Sequence, residues 1–129
     1  MPDSSTKKVR PIWFNLSPLN LPLPGIVSIL HRISGLLLFA GLVWLLYLLE
    51  MSLSSETGFN HFKAYIAHPL VKLALLGYLW AYLHHFCAGI RYLFLDIHKG
   101  IDLVTARKTS YAVFAVSLGV TAILGARLW

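Results

Sequence analysis

Two short stretches of this chain place side chains capable of chemistry inside otherwise apolar sequence. The first is Ala81-Tyr82-Leu83-His84-His85-Phe86-Cys87-Ala88-Gly89-Ile90-Arg91. Imidazoles this deep in an apolar run are costly to bury and default to a functional reading. His85 precedes Arg91 by six residues, about 9 Å along a helix. Gly89 follows His85 by one helical turn and shares its face. An imidazole nitrogen beside a surface without side chains suits a flat macrocycle, and haem iron accepts imidazole as an axial ligand. On these residues alone a blander reading has equal weight. One or both histidines then hydrogen-bond within a helix bundle, and Gly89 merely lets two helices approach.

The second stretch is Ser28-Ile29-Leu30-His31-Arg32. Positions 28, 31 and 32 are i, i+3 and i+4, so a hydroxyl, an imidazole and a guanidinium share one helix face. That face suits a quinone carbonyl, which wants a hydrogen-bond donor, or haem propionates, which want cations. Against this, Arg32 alone reads as an ordinary charge at a membrane boundary and Ser28 as a helix cap. Arg91 and Asp96 lie nearer the end of the other segment. Each reads first as a helix-end charge, with Asp96 able to pair with a basic neighbour.

Positioning these groups falls to three apolar segments, at about residues 25–50, 69–95 and 109–127. Each is long enough to cross the roughly 30 Å hydrocarbon layer as a helix. Backbone groups in lipid must be satisfied internally, which excludes isolated strands. The expected fold is all-α and integral to a membrane, with three transmembrane helices in a single domain, 1–129. Of the 129 residues 57% are hydrophobic and 12% charged, against roughly 25% charged in soluble domains. Pro18, Pro22 and Pro24 are expected to keep the approach to the first helix extended. Pro69 suits the first turn of the second. Residues 52–58 read as a loop, 59–67 as an interfacial stretch, and 98–102 as a polar turn around Gly100.

The net charge of +6 does not indicate nucleic acid, because the basic residues sit at the ends of apolar runs. Lys7, Lys8, Arg10 and Arg32 share a side with Arg91, Lys99, Arg107 and Lys108, leaving Lys63, Lys72 and Arg127 opposite. This asymmetry predicts a cytoplasmic N-terminus and a periplasmic C-terminus in a bacterial inner membrane. Residues 1–11 lack the order of a signal peptide. The single Cys87 reads as a buried structural thiol. Trp13, Trp44, Trp80 and Trp129 read as packing residues or interface anchors.

His84 and His85 differ by about 100° in azimuth and cannot grip opposite faces of one haem. The third segment has no histidine, and the first has none beyond His31. Bis-histidine haem ligation therefore requires a partner chain. The sequence contains no phosphate loop, no metal-spaced cysteine pair and no nucleophile elbow. A transporter or channel role is disfavoured, since the third segment lacks ionisable groups to line a path.

Ser28-Ile29-Leu30-His31-Arg32-Ile33-Ser34-Gly35, and His85 with Gly89-Ile90-Arg91 and then Asp96, together resemble the cytochrome b556 subunits of succinate dehydrogenase. Arg10-Pro11 and the stretch Ser52-Leu53-Ser54-Ser55-Glu56-Thr57-Gly58-Phe59 are similar too, the latter to the loop of enterobacterial-type members. The resemblance spans nearly the whole chain. It implies half of a heterodimeric six-helix anchor bundle with one haem b held between two membrane subunits. His85 matches the position of the haem-iron ligand, and the partner supplies the other. Ser28 and Arg32 match the positions that contact ubiquinone, and His31 and Arg32 those near the haem propionates. The pair anchors an iron–sulfur and a flavoprotein subunit, and electrons pass from succinate to ubiquinone. The isolated chain has no catalytic residues of its own and is not expected to oxidise succinate. A haem-free structural anchor and a fumarate reductase-type anchor are the alternatives. Two positions depart from the pattern: related members often carry His where this chain has Tyr92, and often Tyr where it has His84.

Overall fold

The computed structural model describes residues 22–129. Lys7, Lys8, Arg10-Pro11, Trp13 and Pro18 fall outside them. Among the described residues four helices follow one another: α1 Leu23–Ser54, α2 Glu56–Ala67, α3 Pro69–Asp96 and α4 Leu103–Leu128. Three of them, α1, α3 and α4, are long and apolar enough to cross a membrane. At 1.5 Å per residue they run about 48, 42 and 39 Å, so each overshoots the hydrocarbon layer.

The helix ends differ from a reading by apolarity, for reasons visible in the polar residues. Pro22 is extended, but Pro24 stands in the first turn of α1, where a missing N–H costs nothing. The expected loop at 52–58 is instead almost continuous helix, broken only at Ser55. Ser52 and Ser54 hydroxyls donate to carbonyls of α1, and Ser55 accepts from the Gly58 amide to cap α2. The stretch 59–67 lies within this amphipathic α2, which Trp44 Nε1 ties to α1 through the Tyr65 hydroxyl at 3.4 Å.

α4 begins at Leu103, earlier than apolarity suggests, because Asp102 caps it by accepting from the Thr105 amide at 2.9 Å. The intervening turn carries positive φ at His98 and Gly100.

α3 lies between α1 and α4 and packs most extensively with both. The outer surface is apolar, from Leu36, Phe39 and Val43 on α1 to Ile123 on α4. The interior is small and largely polar: Ser34, His84, Arg91, Ser110, Ser117 and Thr121 accompany Val27, Leu48, Ala81, Ala88 and Val113. This is the distribution expected in lipid, where association rests on close packing of small residues rather than on escape from water. The hydroxyls of Ser110 and Thr121 donate to carbonyls one turn back, at 2.7 Å each, which removes their desolvation cost.

Candidate functional site

His85 stands where α3 crosses α1, and the crossing is built from small residues. A Cβ on Gly35 would lie 2.9 Å from His85 Cε1, so only glycine leaves room for the ring. Further along the same seam Gly41 packs against the Tyr78 ring, whose hydroxyl donates to the Leu38 carbonyl at 2.8 Å. Each approach brings a polar α3 side chain onto the α1 backbone.

The His85 Nδ1 lies 3.0 Å from the His31 carbonyl oxygen. A carbonyl only accepts, so the bond requires the proton on Nδ1. Ser34, buried beside it, donates its hydroxyl to the same carbonyl at 2.9 Å and lies 3.2 Å from Nδ1. No hydrogen bond among the described residues involves Nε2. The ring is thereby fixed in the tautomer whose Nε2 lone pair is available to an electrophile, the arrangement that orients metal-ligating histidines.

His31 lies flat on His85, with ring centroids 4.1 Å apart and planes 6° from parallel. Its other edge faces Gly89, where an added Cβ would meet His31 Nε2 at 3.7 Å. The surface above Gly89 is thus covered by an imidazole rather than left open for a macrocycle. Tyr92 tilts against His31 at 5.1 Å. Its hydroxyl is buried without a partner among the described residues.

His84 points the other way. It is 0% exposed, lies between Trp80 and Phe114 at 5.3 Å each, and neither ring nitrogen has a partner among the described residues. One residue of α3 therefore separates an imidazole at the α1 seam, half-buried and oriented, from one sealed inside the bundle.

Ser28 and Arg32 occupy the same end of the bundle as His31, Ser28 half-buried and Arg32 exposed. Neither makes a hydrogen bond or ion pair among the described residues. Arg91 is not a free helix-end charge: at 8% exposure it donates from Nε to Thr109 Oγ1 at 3.0 Å, and its guanidinium lies over Tyr92. Asp96, exposed at the end of α3, makes no ion pair among the described residues. Cys87 is a free thiol packed against the Val27, Ala88 and Val113 cluster.

Ser34 and Gly35 are the site residues that chemical reasoning on the sequence passes over. Their signal was a small pair one turn after His31, on the helix that has to receive α3. Thr109 carries no signal in the sequence beyond opening an apolar run.

The residues present fit one axial position of a haem, but not with Gly89 as its cradle, because His31 covers that surface. A single imidazole with a fixed tautomer and a free nitrogen lies at a seam that is not sealed, and the described residues offer no second histidine to the far side.

Fold and site together define a class: an all-helical membrane protein with three spans and an oriented histidine between the first two. The family model for succinate dehydrogenase/fumarate reductase transmembrane subunits matches residues 6–124, and this chain belongs to that family. Succinate dehydrogenase cytochrome b556 subunits are similar along most of their length. That of Coxiella burnetii is 35% identical over 121 residues, covering 93% of this chain and 97% of the relative. That of Paracoccus denitrificans is 36% identical over 109 residues, 84% of each. The Rickettsia felis subunit is 30% identical over 115 residues, 89% of this chain and 90% of the relative.

Proposed function

We propose that this chain is the haem b-carrying anchor subunit of a succinate dehydrogenase and passes electrons to ubiquinone. The observation that carries the reading is the His85 geometry. Nδ1 is held by the His31 carbonyl, so the Nε2 lone pair stays free on a ring that is only half-buried. His85 is the iron ligand in this reading, and His84, closed off within its own chain, is not. A second membrane subunit supplies the other axial imidazole and completes a six-helix bundle.

His31 and Arg32 serve the propionate side of the haem, where a guanidinium and an imidazole N–H match carboxylates. Ser28 and Arg32 hydrogen-bond a ubiquinone carbonyl. The exposure of Arg32, with no protein partner among the described residues, supports a role toward a ligand. The haem, when bound, supplies one-electron chemistry at an iron whose potential its ligands and surroundings set. This chain's share is to orient one ligand, offer cations and exclude lipid.

The Lys and Arg distribution supports a cytoplasmic N-terminus and a periplasmic C-terminus in a bacterial inner membrane. Iron–sulfur and flavoprotein subunits then dock on the cytoplasmic side, where Ser28, His31 and Arg32 lie. Succinate oxidation itself belongs to those subunits.

The test is the intact complex, purified with its partners. It should show a b-type absorbance spectrum and reduce ubiquinone with succinate. Arg32→Ala should slow quinone reduction by about tenfold or more, the scale of a lost charge-assisted hydrogen bond of roughly 1.5–3 kcal/mol, and Ser28→Ala by less, the scale of a neutral one of about 0.5–1.5 kcal/mol. Reduction of an artificial dye by succinate should be unchanged. Parallel loss of both activities would remove the quinone assignment, and a haem-free complex with full quinone activity would remove the haem.

A further inference from the structure

The opposite end of the bundle holds a feature that electron transfer does not use. A cavity of about 500 Å³ opens between α2, α3 and α4. Its wall is apolar, with Leu75, Leu76 and Leu79 on α3 facing Gly125 and Trp129 at the end of α4, and its cations are Lys63 on α2 and Lys72 on α3. Gly125 keeps α4 close to α3, since a Cβ there would lie 2.6 Å from Leu76 Cδ1. The ammonium groups lie over aromatic rings, Lys63 at 4.9 Å from the Phe59 centroid and Lys72 at 5.3 Å from that of Trp129. Glu50 and Glu56 belong to this end as well, yet neither lysine forms an ion pair among the described residues.

Depth gives the groove its direction. Lys72 is one turn inside α3, and Leu79 lies seven residues further, about 10 Å deeper into the hydrocarbon. Lysines at a span's edge extend their ammonium toward the headgroups while their stems stay in the apolar layer. A ligand matching this layout has an anion at the level of two ammonium groups and a hydrocarbon chain continuous with it. An acidic side chain on a protein helix offers an anion that no long hydrocarbon chain continues, and a neutral isoprenoid chain has no anion.

We propose that this groove binds an anionic phospholipid, with its phosphate at Lys63 and Lys72 and one acyl chain along Leu75 and Leu79. The lipid closes the seam between α2, α3 and α4 from the membrane side.

The experiment uses the assembled complex in nanodiscs of equimolar dioleoylphosphatidylglycerol and dioleoylphosphatidylcholine, followed by native mass spectrometry of retained lipid. One phosphatidylglycerol per copy of this chain is expected. The preference over phosphatidylcholine should fall by roughly 25-fold in a Lys63→Gln/Lys72→Gln double variant, at the usual attraction per lysine for anionic lipid. Lys63→Arg/Lys72→Arg should retain the preference. Leu79→Trp, which fills the groove and leaves both lysines, should lose the bound lipid, and it decides the question if the glutamine variant fails to assemble. Co-purification of the flavoprotein and iron–sulfur subunits with this chain, in unchanged ratio in each variant, verifies assembly. Four outcomes overturn the proposal: equal retention of the two lipids, an unaltered preference in the glutamine variant, retention despite Leu79→Trp, or displacement of the lipid by added ubiquinone. The last would identify a quinone as the occupant.

Discussion

The two faces of α3 solve the same problem in opposite ways. Toward α1 it sends His85 and Tyr78, and each finds a backbone carbonyl because a glycine lets the helices approach. Toward the interior shared with α4 it sends His84, which finds no hydrogen-bond partner among the described residues, while Ser110 and Thr121 satisfy their hydroxyls on their own helix. The first seam orients polar groups and leaves one nitrogen unspent. The second leaves its imidazole without a partner and has one polar tie, Arg91 to Thr109. In hydrocarbon an unsatisfied imidazole costs on the order of 1–3 kcal/mol. Adjacent residues of one type thus have unlike surroundings because they face unlike neighbours.

Replacing each histidine by leucine gives the largest expected contrast. His85→Leu should abolish the b-type absorbance of the purified complex. His84→Leu should keep that spectrum, and should be neutral or stabilising, because it exchanges an unpaired polar ring for apolar volume. Absorbance and detergent unfolding on the same samples read both effects. A His84→Leu complex without haem, alongside a haem-replete His85→Leu complex, would reverse the assignment.

The α3–α4 seam has one strong polar tie, Arg91 to Thr109, and its removal comes next in size. Thr109→Val leaves the Arg91 Nε without its acceptor at an almost fully buried position. A loss of about 1.5–3 kcal/mol is expected for a bond to a charged group, measured by unfolding in detergent. Ser34→Ala at the α1–α3 seam should cost less, about 0.5–1.5 kcal/mol, because the His31 carbonyl still receives His85. Its sharper readout is spectroscopic, since a looser His85 ring alters the environment of a bound iron. A Ser34→Ala variant with an unaltered spectrum and haem potential would reduce Ser34 to packing.

The number and rough place of the spans were legible because hydrocarbon imposes a length and an apolar composition that few soluble helices meet. The positions of His31 and His85 stood out for the same reason, as expensive groups in the wrong solvent. Helix ends were not legible from apolarity. A helix leaving the membrane continues on polar residues, as α1 does through Ser54 and α4 from Leu103, and there caps set the limits. The contact surfaces were also hidden. Spacing put Gly89 beside His85 on one face, but which partner fills that face depends on how α1 crosses α3. The answer is His31, with Gly35 taking the His85 ring. Which histidine faces inward is likewise a property of the packed bundle.

Acid gives the smallest effect and acts on one seam only. The Asp102 carboxylate caps α4, and the hydrogen bonds it accepts, first from the Thr105 amide and then from the Thr105 hydroxyl, lower its pKa, with Lys108 adding a weaker pull. A carboxyl depressed in the folded state stabilises it above its unfolded pKa, and that contribution is lost as pH falls through the lowered value. Below about pH 4 the start of α4 should therefore loosen before the α1–α3 seam does. Hydrogen exchange should show protection falling across 103–110 while 31–38 stays protected. Asp102→Asn, which still caps, should flatten that acid response. Simultaneous loss at both seams would mean that the two faces of α3 unfold as one unit and that the difference between them is confined to the native packing.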